Sequence, residues 1–500
     1  MIRTSVFEDE ITLYWDYQAG LPEGGFYRVL RDGGEVCRVP STHATVSGLA
    51  PDTAYLFRVE MCRADGSLYR VFEERRVATA PRRLRHNVLD YGAVGDGETL
   101  CTAALQRAID ACGKGETVYF PAGTYRSGAL FLHSDMELYL DEGAVLQGSV
   151  DPTDYLPKIP SRFEGIEGAC YASLINIGTL VSGGGSYNCK NVVLRGHGTI
   201  FGGGLALADA TCAYEYSQRK EEFDALRPAV GDDQAERVLP GRSRGRLLHI
   251  CCAEHVVMAG LTLGYGPSWN IHMIYSRDIL TYNCNIESHD VWNGDGWDPD
   301  SSEDCYCFGV LFNTGDDSVA IKSGKNPEGN RLGIETRNIR IFDCKCTDGH
   351  GLSIGSEMSG GVDLVYLWDC DFVNSMNGIQ IKGTAKRGGY IRRVYANRCR
   401  VSCLLLQSVG YNDDGEAAPD KPVFEDCVFE DVTISGVWSW NGKLHPREAI
   451  KICGFDDDPH AARNIVIRRA VILPPVDGTP LQSVCLRYCR GVTLEDIRCL

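Results

Sequence analysis

Three aspartates, a histidine and a lysine recur at matching places in neighbouring segments of this 500-residue chain. Gly315-Asp316-Asp317-Ser318-Val319-Ala320-Ile321-Lys322 superimposes without gaps on Asp348-Gly349-His350-Gly351-Leu352-Ser353-Ile354-Gly355. Both superimpose on Ser375-Met376-Asn377-Gly378-Ile379-Gln380-Ile381-Lys382, and Asn293-Gly294-Asp295-Gly296-Trp297-Asp298 fits the same register. Side chains alternate along a strand, so Val319, Leu352 and Ile379 form one inward column, and Ala320, Ser353 and Gln380 point the other way. In this stacking Asp295, Asp317, His350 and Asn377 fall in one column with Asp316 beside it, while Lys322 and Lys382 share a second column with Asp300. Clustered carboxylates repel, so at least one must hold its proton to higher pH. One carboxyl that donates a proton and another that activates water are the pair that acetal cleavage requires.

The elements that carry these residues are repeats. From about residue 180 onward, short apolar-rich runs end in a polar residue and then cysteine: Thr281-Tyr282-Asn283-Cys284, Ile341-Phe342-Asp343-Cys344, Leu367-Trp368-Asp369-Cys370, Ala396-Asn397-Arg398-Cys399 and Phe424-Glu425-Asp426-Cys427. Leu311-Phe312-Asn313-Thr314 fits with threonine in the cysteine place. Each unit is too short to bury its own face, so stacking into a solenoid is expected. Most of the 22 cysteines then read as reduced, small apolar fillers of the interior. Cys344/Cys346 and Cys305/Cys307 have spacing that could bind zinc, but stacking accounts for them, and no metal or cofactor is expected. Asp298 and Asp300 read as solvated or structural, and Lys322 as covering the coil surface with its stem. Gly196-His197-Gly198 reads as a tight turn in an earlier coil.

Residues 1 to 81 read as a separate small β-sandwich, with Ile11, Leu13 and Trp15 alternating, as do Tyr55, Phe57 and Val59. Leu49-Ala50-Pro51-Asp52-Thr53-Ala54-Tyr55 resembles the tyrosine-corner segment of fibronectin type III domains. Ala80-Pro81-Arg82-Arg83 reads as a linker, and residues 84 to 500 as one repeat domain. A short helix with Leu105, Ile109 and Cys112 on one face opens that domain. Tyr155 to Tyr171 and Leu205 to Arg246 break the repeat, and such insertions on a solenoid shape its binding face. The net charge of −17 excludes a nucleic-acid partner. No long apolar run suggests a membrane span, and the polar start with many reduced thiols points to the cytoplasm. Nothing in the sequence fixes an oligomeric state.

Asn293-Gly294-Asp295, Gly315-Asp316-Asp317, Gly349-His350-Gly351 and Ile381-Lys382 resemble, in order, the four motifs of the polygalacturonase family, glycoside hydrolase family 28. Pro267-Ser268-Trp269-Asn270-Ile271-His272 resembles the coil before them, and Val118 to Tyr125 resembles the opening of pectin-lyase-like proteins. The resemblance covers about residues 85 to 470 and implies an all-β fold, a right-handed parallel β-helix. It implies that Asp316 is the general acid and that Asp295 and Asp317 hold and activate the water. His350 would set the protonation of the acid, and Lys382 would grip a substrate carboxylate. Asn377, Gln380, Arg387 and His272 complete the candidate substrate contacts. The expected activity is inverting hydrolysis of α-galacturonosyl linkages in acidic, pectin-derived oligosaccharides, exo-acting because the insertions wall off one end of the cleft.

Two residues depart from the family pattern. Gly294 stands where threonine is usual, which affects packing. Gln380 stands where arginine is usual, and a neutral amide cannot replace a charged fork. Either the adjacent subsite takes another sugar, as in rhamnogalacturonan or xylogalacturonan fragments, or Arg387 supplies the charge. A lyase on the same kind of fold would want a basic residue and often calcium, which a carboxylate column does not suggest. A non-catalytic carbohydrate-binding β-helix would not need the three aspartates together.

Overall fold

The computed structural model describes residues 1–440, 443–474 and 484–500. The chain divides into two compact units, Met1–Leu84 and Arg85–Leu500. Leu84 therefore belongs to the first unit rather than opening the second, and the backbone N–H of Arg83 is tied to Glu8 Oε2 at 3.1 Å.

The first unit is a β-sandwich of a three-stranded and a four-stranded antiparallel sheet. Ile11, Leu13, Trp15, Tyr27, Phe57 and Val59 meet in its core. Tyr55 Oη accepts the backbone N–H of Ala50 at 2.9 Å, which fixes the turn between strands His43–Ser47 and Ala54–Cys62.

The second unit is a right-handed parallel β-helix of three sheets with 13, 13 and 11 strands, each strand paired in parallel with those one coil away. The repeat begins at Arg85–Asn87, not near residue 180, because the early coils carry the geometry without the cysteines. Helix Thr102–Ala111 lies on the first coils with Leu105 and Ile109 buried, and Cys112 is its buried C-terminal cap.

The polar-residue-then-cysteine signature has a backbone cause. At the corner between the first and second sheets one residue takes a left-handed conformation, which short polar side chains tolerate better than bulky ones. Asn283 (φ 51°), Asp343 (49°), Asp369 (57°), Arg398 (51°) and Asp431 (52°) occupy that place. The next residue points inward, and backbone bonds link Cys284, Val310, Cys344, Cys370, Cys399 and Val432 from coil to coil. Two assignments are corrected by this register. The ladder residue of its coil is Val310, preceded by Gly309 (φ 61°), rather than Thr314. Cys427 lies in the first sheet, paired with Ile465, and follows a different left-handed residue, Asp426 (φ 56°). The ladder is thus a column of small apolar residues, cysteine in four of these six coils. Above it, Tyr282, Phe308, Phe342 and Trp368 stack with centroids 4.3 to 5.1 Å apart.

Candidate active site

The third sheet carries the chemistry. Val319, Leu352 and Ile379 pair in register, as do Ile321, Ile354 and Ile381, and all six are fully buried. Trp297 pairs with Val319, so Asp295, Asp317, His350 and Asn377 each stand two residues before a paired position, at the entrance to four successive strands. The gapless superposition in the sequence is the observed register.

Backbone geometry explains the glycines around them. Gly349 (φ 129°) and Gly351 (φ 87°) hold His350, and a Cβ at Gly349 would lie 2.2 Å from Thr314 Oγ1. At Gly294 a Cβ would lie 2.6 Å from the Val291 carbonyl, so no side chain fits there. Asn293 takes φ 53°, and its Oδ1 accepts Arg244 Nη2 at 2.8 Å. Arg244, at the end of the second insertion, lies buried 3.4 Å over the Trp292 ring and also binds the Trp292 and Pro267 carbonyls. One buried arginine thereby pins the loop that delivers Asp295.

The charges form linked pairs. Asp316 Oδ1 lies 2.9 Å from His350 Nδ1 and also accepts the Asp317 backbone N–H at 2.9 Å. Asp317 accepts Ser353 Oγ at 2.7 Å and faces Lys382 Nζ at 3.5 Å. Lys322 Nζ lies 3.1 Å from Asp295 and 3.8 Å from Asp298, with the Trp269 ring 4.0 Å away. Burial raises the Asp295 carboxyl to about 7; Lys322 opposes that rise, and Asp316 and Asp317 add to it. Burial also pushes Asp316 up, but the His350 hydrogen bond and the His350, Lys382 and Lys322 charges outweigh it and leave Asp316 lowered. Burial lowers His350, yet Asp316 and Asp317 prevail and raise it to about 9. Near neutral pH the resting site therefore carries an imidazolium on an ionised Asp316, beside an Asp295 that burial holds well above the usual carboxylate range.

Several residues lie elsewhere than the sequence suggested. Asp298 is neither solvated nor satisfied: it is fully buried, both oxygens lack a hydrogen bond, and burial followed by the Asp295 charge raises it well above the usual range. Lys322 is not a surface stem but a buried partner of two carboxylates. His272 is not a substrate contact, because it is fully buried with its ring edge against Trp269 (centroids 4.8 Å) and its Nε2 3.3 Å from Asp300. Arg387 does not supply a free fork: it is 1% exposed and donates to Asn326 Oδ1 and to the carbonyls of Ser356, Asn412 and Asp414. Gln380 is 2% exposed with an unpartnered Oε1. Asn377, also buried, accepts Arg447 Nη1 at its Oδ1 at 2.6 Å. Arg447 escaped the sequence reading because it lies in a segment outside the repeat, where no periodicity marks it.

The two insertions are ordered. Strands Ile159–Phe163 and Ile166–Cys170 form a hairpin, and residues 204–241 are helical. They wall a cleft of about 580 Å³ that contains Asp295, Asp316, Asp317, Lys322 and Lys382. An ion chain closes the wall: Arg242 lies 2.9 Å from Glu164 on the hairpin and 3.8 Å from Asp414, which pairs with Lys325 at 2.6 Å. Arg387 organises the 412–414 segment from beneath. Asp316, Asp317 and His350 present ligand atoms within 4.8 Å of one another, a spacing that a cation could use. Within the chain, Lys382 Nζ faces Asp317 at 3.5 Å and His350 Nδ1 faces Asp316 at 2.9 Å.

Residues 184–399 match the model of glycosyl hydrolases family 28, and residues 85–146 match that of rhamnogalacturonase A/epimerase, pectate lyase-like. The chain is 33% identical over 376 residues to a Vitis vinifera protein named "Probable polygalacturonase", covering 70% of this chain and 69% of that protein. It is 27% identical over 482 residues to the exo-poly-alpha-D-galacturonosidase of Dickeya chrysanthemi, covering 92% and 79%. The hyperthermoactive exopolygalacturonase of Thermotoga maritima superimposes with TM-score 0.67 at 25% identity, over 84% of this chain and 93% of that one. The family 28 exopolygalacturonase of Yersinia enterocolitica shares the fold with TM-score 0.78 at 22% identity, over 100% and 96%. On its motifs, their register and this identity, the chain belongs to glycosyl hydrolases family 28.

Proposed function

We propose that this protein is an exo-acting polygalacturonase that removes terminal units from pectin-derived oligogalacturonides with inversion. The observation that carries this reading is a carboxylate cluster set in a cleft whose one end is closed by the Glu164–Arg242–Asp414–Lys325 chain. A closed end admits a chain terminus and excludes a through-running polymer. The likeness over 92% of the chain to an exo-poly-alpha-D-galacturonosidase supports it.

In this mechanism Asp316 delivers the proton to the glycosidic oxygen, drawing it from the His350 imidazolium as substrate excludes water. Asp295, ionised, takes a proton from a water held with Asp317, and that water attacks the anomeric carbon as the bond to the leaving oxygen breaks. Lys382 binds a substrate carboxylate. A second reading keeps the chemistry and changes the substrate to a rhamnogalacturonan or xylogalacturonan fragment; the uncharged Gln380 favours it. Residues 1–84 are proposed to be a fibronectin type III-like module, supported by the Tyr55–Ala50 bond. A cytoplasmic location is proposed, in keeping with 22 cysteines that are all free.

The test is product analysis by mass spectrometry and proton NMR on oligogalacturonides and on rhamnogalacturonan fragments. Release of short saturated products with inverted configuration is expected. An unsaturated product absorbing in the ultraviolet would make the protein a lyase, and turnover only of the branched substrates would select the second reading.

A further inference from the structure

Four cations of the site already face carboxylates: Lys322 on Asp295, Lys382 on Asp317, Lys325 on Asp414 and His350 on Asp316. Among the described residues Arg447 has no such partner and, unlike the buried Arg244, is half-buried. It stands at the base of the hairpin Val437–Trp440/Lys443–Pro446, where its backbone N–H donates to the Gly436 carbonyl at 2.9 Å. Its Nη1 donates to Asn377 Oδ1 at 2.6 Å and to the Met376 carbonyl at 2.8 Å. Among the described residues no carboxylate lies within ion-pair distance of it.

Its position follows from the register. Asn377 is the next residue after His350 in the catalytic column, and its N–H donates to the His350 carbonyl at 3.0 Å. Arg447 therefore flanks the acid–imidazole pair one coil toward the C-terminus, whereas both insertions join the third sheet on the N-terminal side, before strand Leu248–Cys251. Both side-chain contacts use Nη1, which leaves the Nε–Nη2 edge of the half-buried guanidinium, the edge that binds a carboxylate through two parallel bonds. On the third sheet Gln380 is uncharged, and the neighbouring cations are already engaged, Lys382 facing Asp317 and Lys451, two strands on, facing Glu448.

Resting on the reading above, we propose that Arg447 is a specificity-determining residue that binds the carboxylate of the sugar on the open side of the scissile bond. The fork that strand 379–383 lacks is thus brought in from a later coil, and the enzyme demands a free uronic acid at that unit.

The experiment compares kcat/KM for trigalacturonate and its individual mono-methyl esters, using wild type, Arg447→Gln, Arg447→Ala and Arg447→Lys, with melting temperature as a check on folding. Wild type is expected to disfavour the ester at one unit by about tenfold to a hundredfold, the scale of a charge-assisted pair. Arg447→Gln keeps a neutral donor for Asn377 and is expected to erase that preference at that unit alone, with Arg447→Lys retaining part of it. A preference that survives Arg447→Gln overturns the proposal. An equal loss on every substrate also overturns it, since that marks a residue that only braces Asn377. A wild type that cleaves none of these substrates contradicts the polygalacturonase reading itself.

Discussion

Replacing Lys322 by methionine tests the electrostatic core of the site. The side chain keeps its length and its packing under Trp269, and only the ammonium is lost. That ammonium sits 3.1 Å from Asp295, with both side chains under a tenth exposed, so solvent screens the pair little. Asp295 already titrates near 7 with Lys322 present, because burial favours the neutral acid. Removing one partner of a buried pair costs about 3–5 kcal/mol, and the half of this that survives relaxation corresponds to roughly one to two pKa units at about 1.36 kcal/mol each. As the base, Asp295 must be ionised, so activity lies above its pKa, and raising that pKa moves the acid limb of kcat/KM to higher pH. The expected outcome is a limb displaced upward by about one to two units and activity roughly tenfold to a hundredfold lower below it, with the active range narrowed against the loss of the His350 imidazolium at about 9. The assay is reducing-end release from an oligogalacturonide across pH, with Lys322→Arg as the control that keeps the charge. If the Lys322→Met limb stays within about half a unit of wild type, Lys322 does not tune the base and this account of the site is wrong.

Asp298→Asn replaces a carboxyl held neutral by burial with a neutral isostere, so kcat at neutral pH is expected within about threefold of wild type, whereas Asp295→Asn loses about 10²- to 10⁴-fold. Equal damage from both would mean that Asp298 is ionised. Arg242→Ala cuts the ion chain that joins hairpin, helical insertion and the 412–414 segment, and early products from long polygalacturonate should then include longer oligomers, with a faster fall in viscosity. Unchanged terminal products would place the wall elsewhere. His272→Ala should lower the melting temperature through a core cavity, about 2–4 kcal/mol, with KM unchanged; a raised KM would restore His272 as a substrate contact.

How much of this was legible in the sequence depended on whether a residue lay inside the repeat. The column of Asp295, Asp317, His350 and Asn377 could be read because three strands superimpose without gaps and inward apolar residues fix their phase. The ladder was misread at two coils for a physical reason. The first sheet bends through one left-handed residue within the strand and another at the corner, so Asp426-Cys427 and Asp431-Val432 give the same local pattern of polar residue then inward apolar one. Composition alone cannot separate a bend from a corner; the coil-to-coil hydrogen bonds can. The coils before residue 180 escaped for the converse reason, since Gly123 and Ala144 precede the cysteines in the same column and carry no distinctive chemistry.

Burial was the part that strand logic could not supply. Alternation correctly turned Gln380 away from the coil interior, His272 and Asp298 share that outward face, and on a bare solenoid such residues would be wet. Here the segments that break the repeat cover that face. Phe163, from the first insertion, stacks on Trp269 (centroids 5.0 Å), and Arg246, from the second, lies 4.5 Å from both rings. The outward face of the third sheet thus becomes a second interior, lined with polar groups where a first interior has leucine. In that medium the carboxyl with the more distant cation, Asp298 at 3.8 Å from Lys322, is raised well above the usual range, and the one at 3.1 Å, Asp295, is held near neutrality. The insertions therefore do two jobs with one set of contacts: they close the cleft against a passing polymer, and they remove the water that would otherwise return the acids to ordinary pKa values. A variant that opens the wall should accordingly move the pH profile as well as the product pattern.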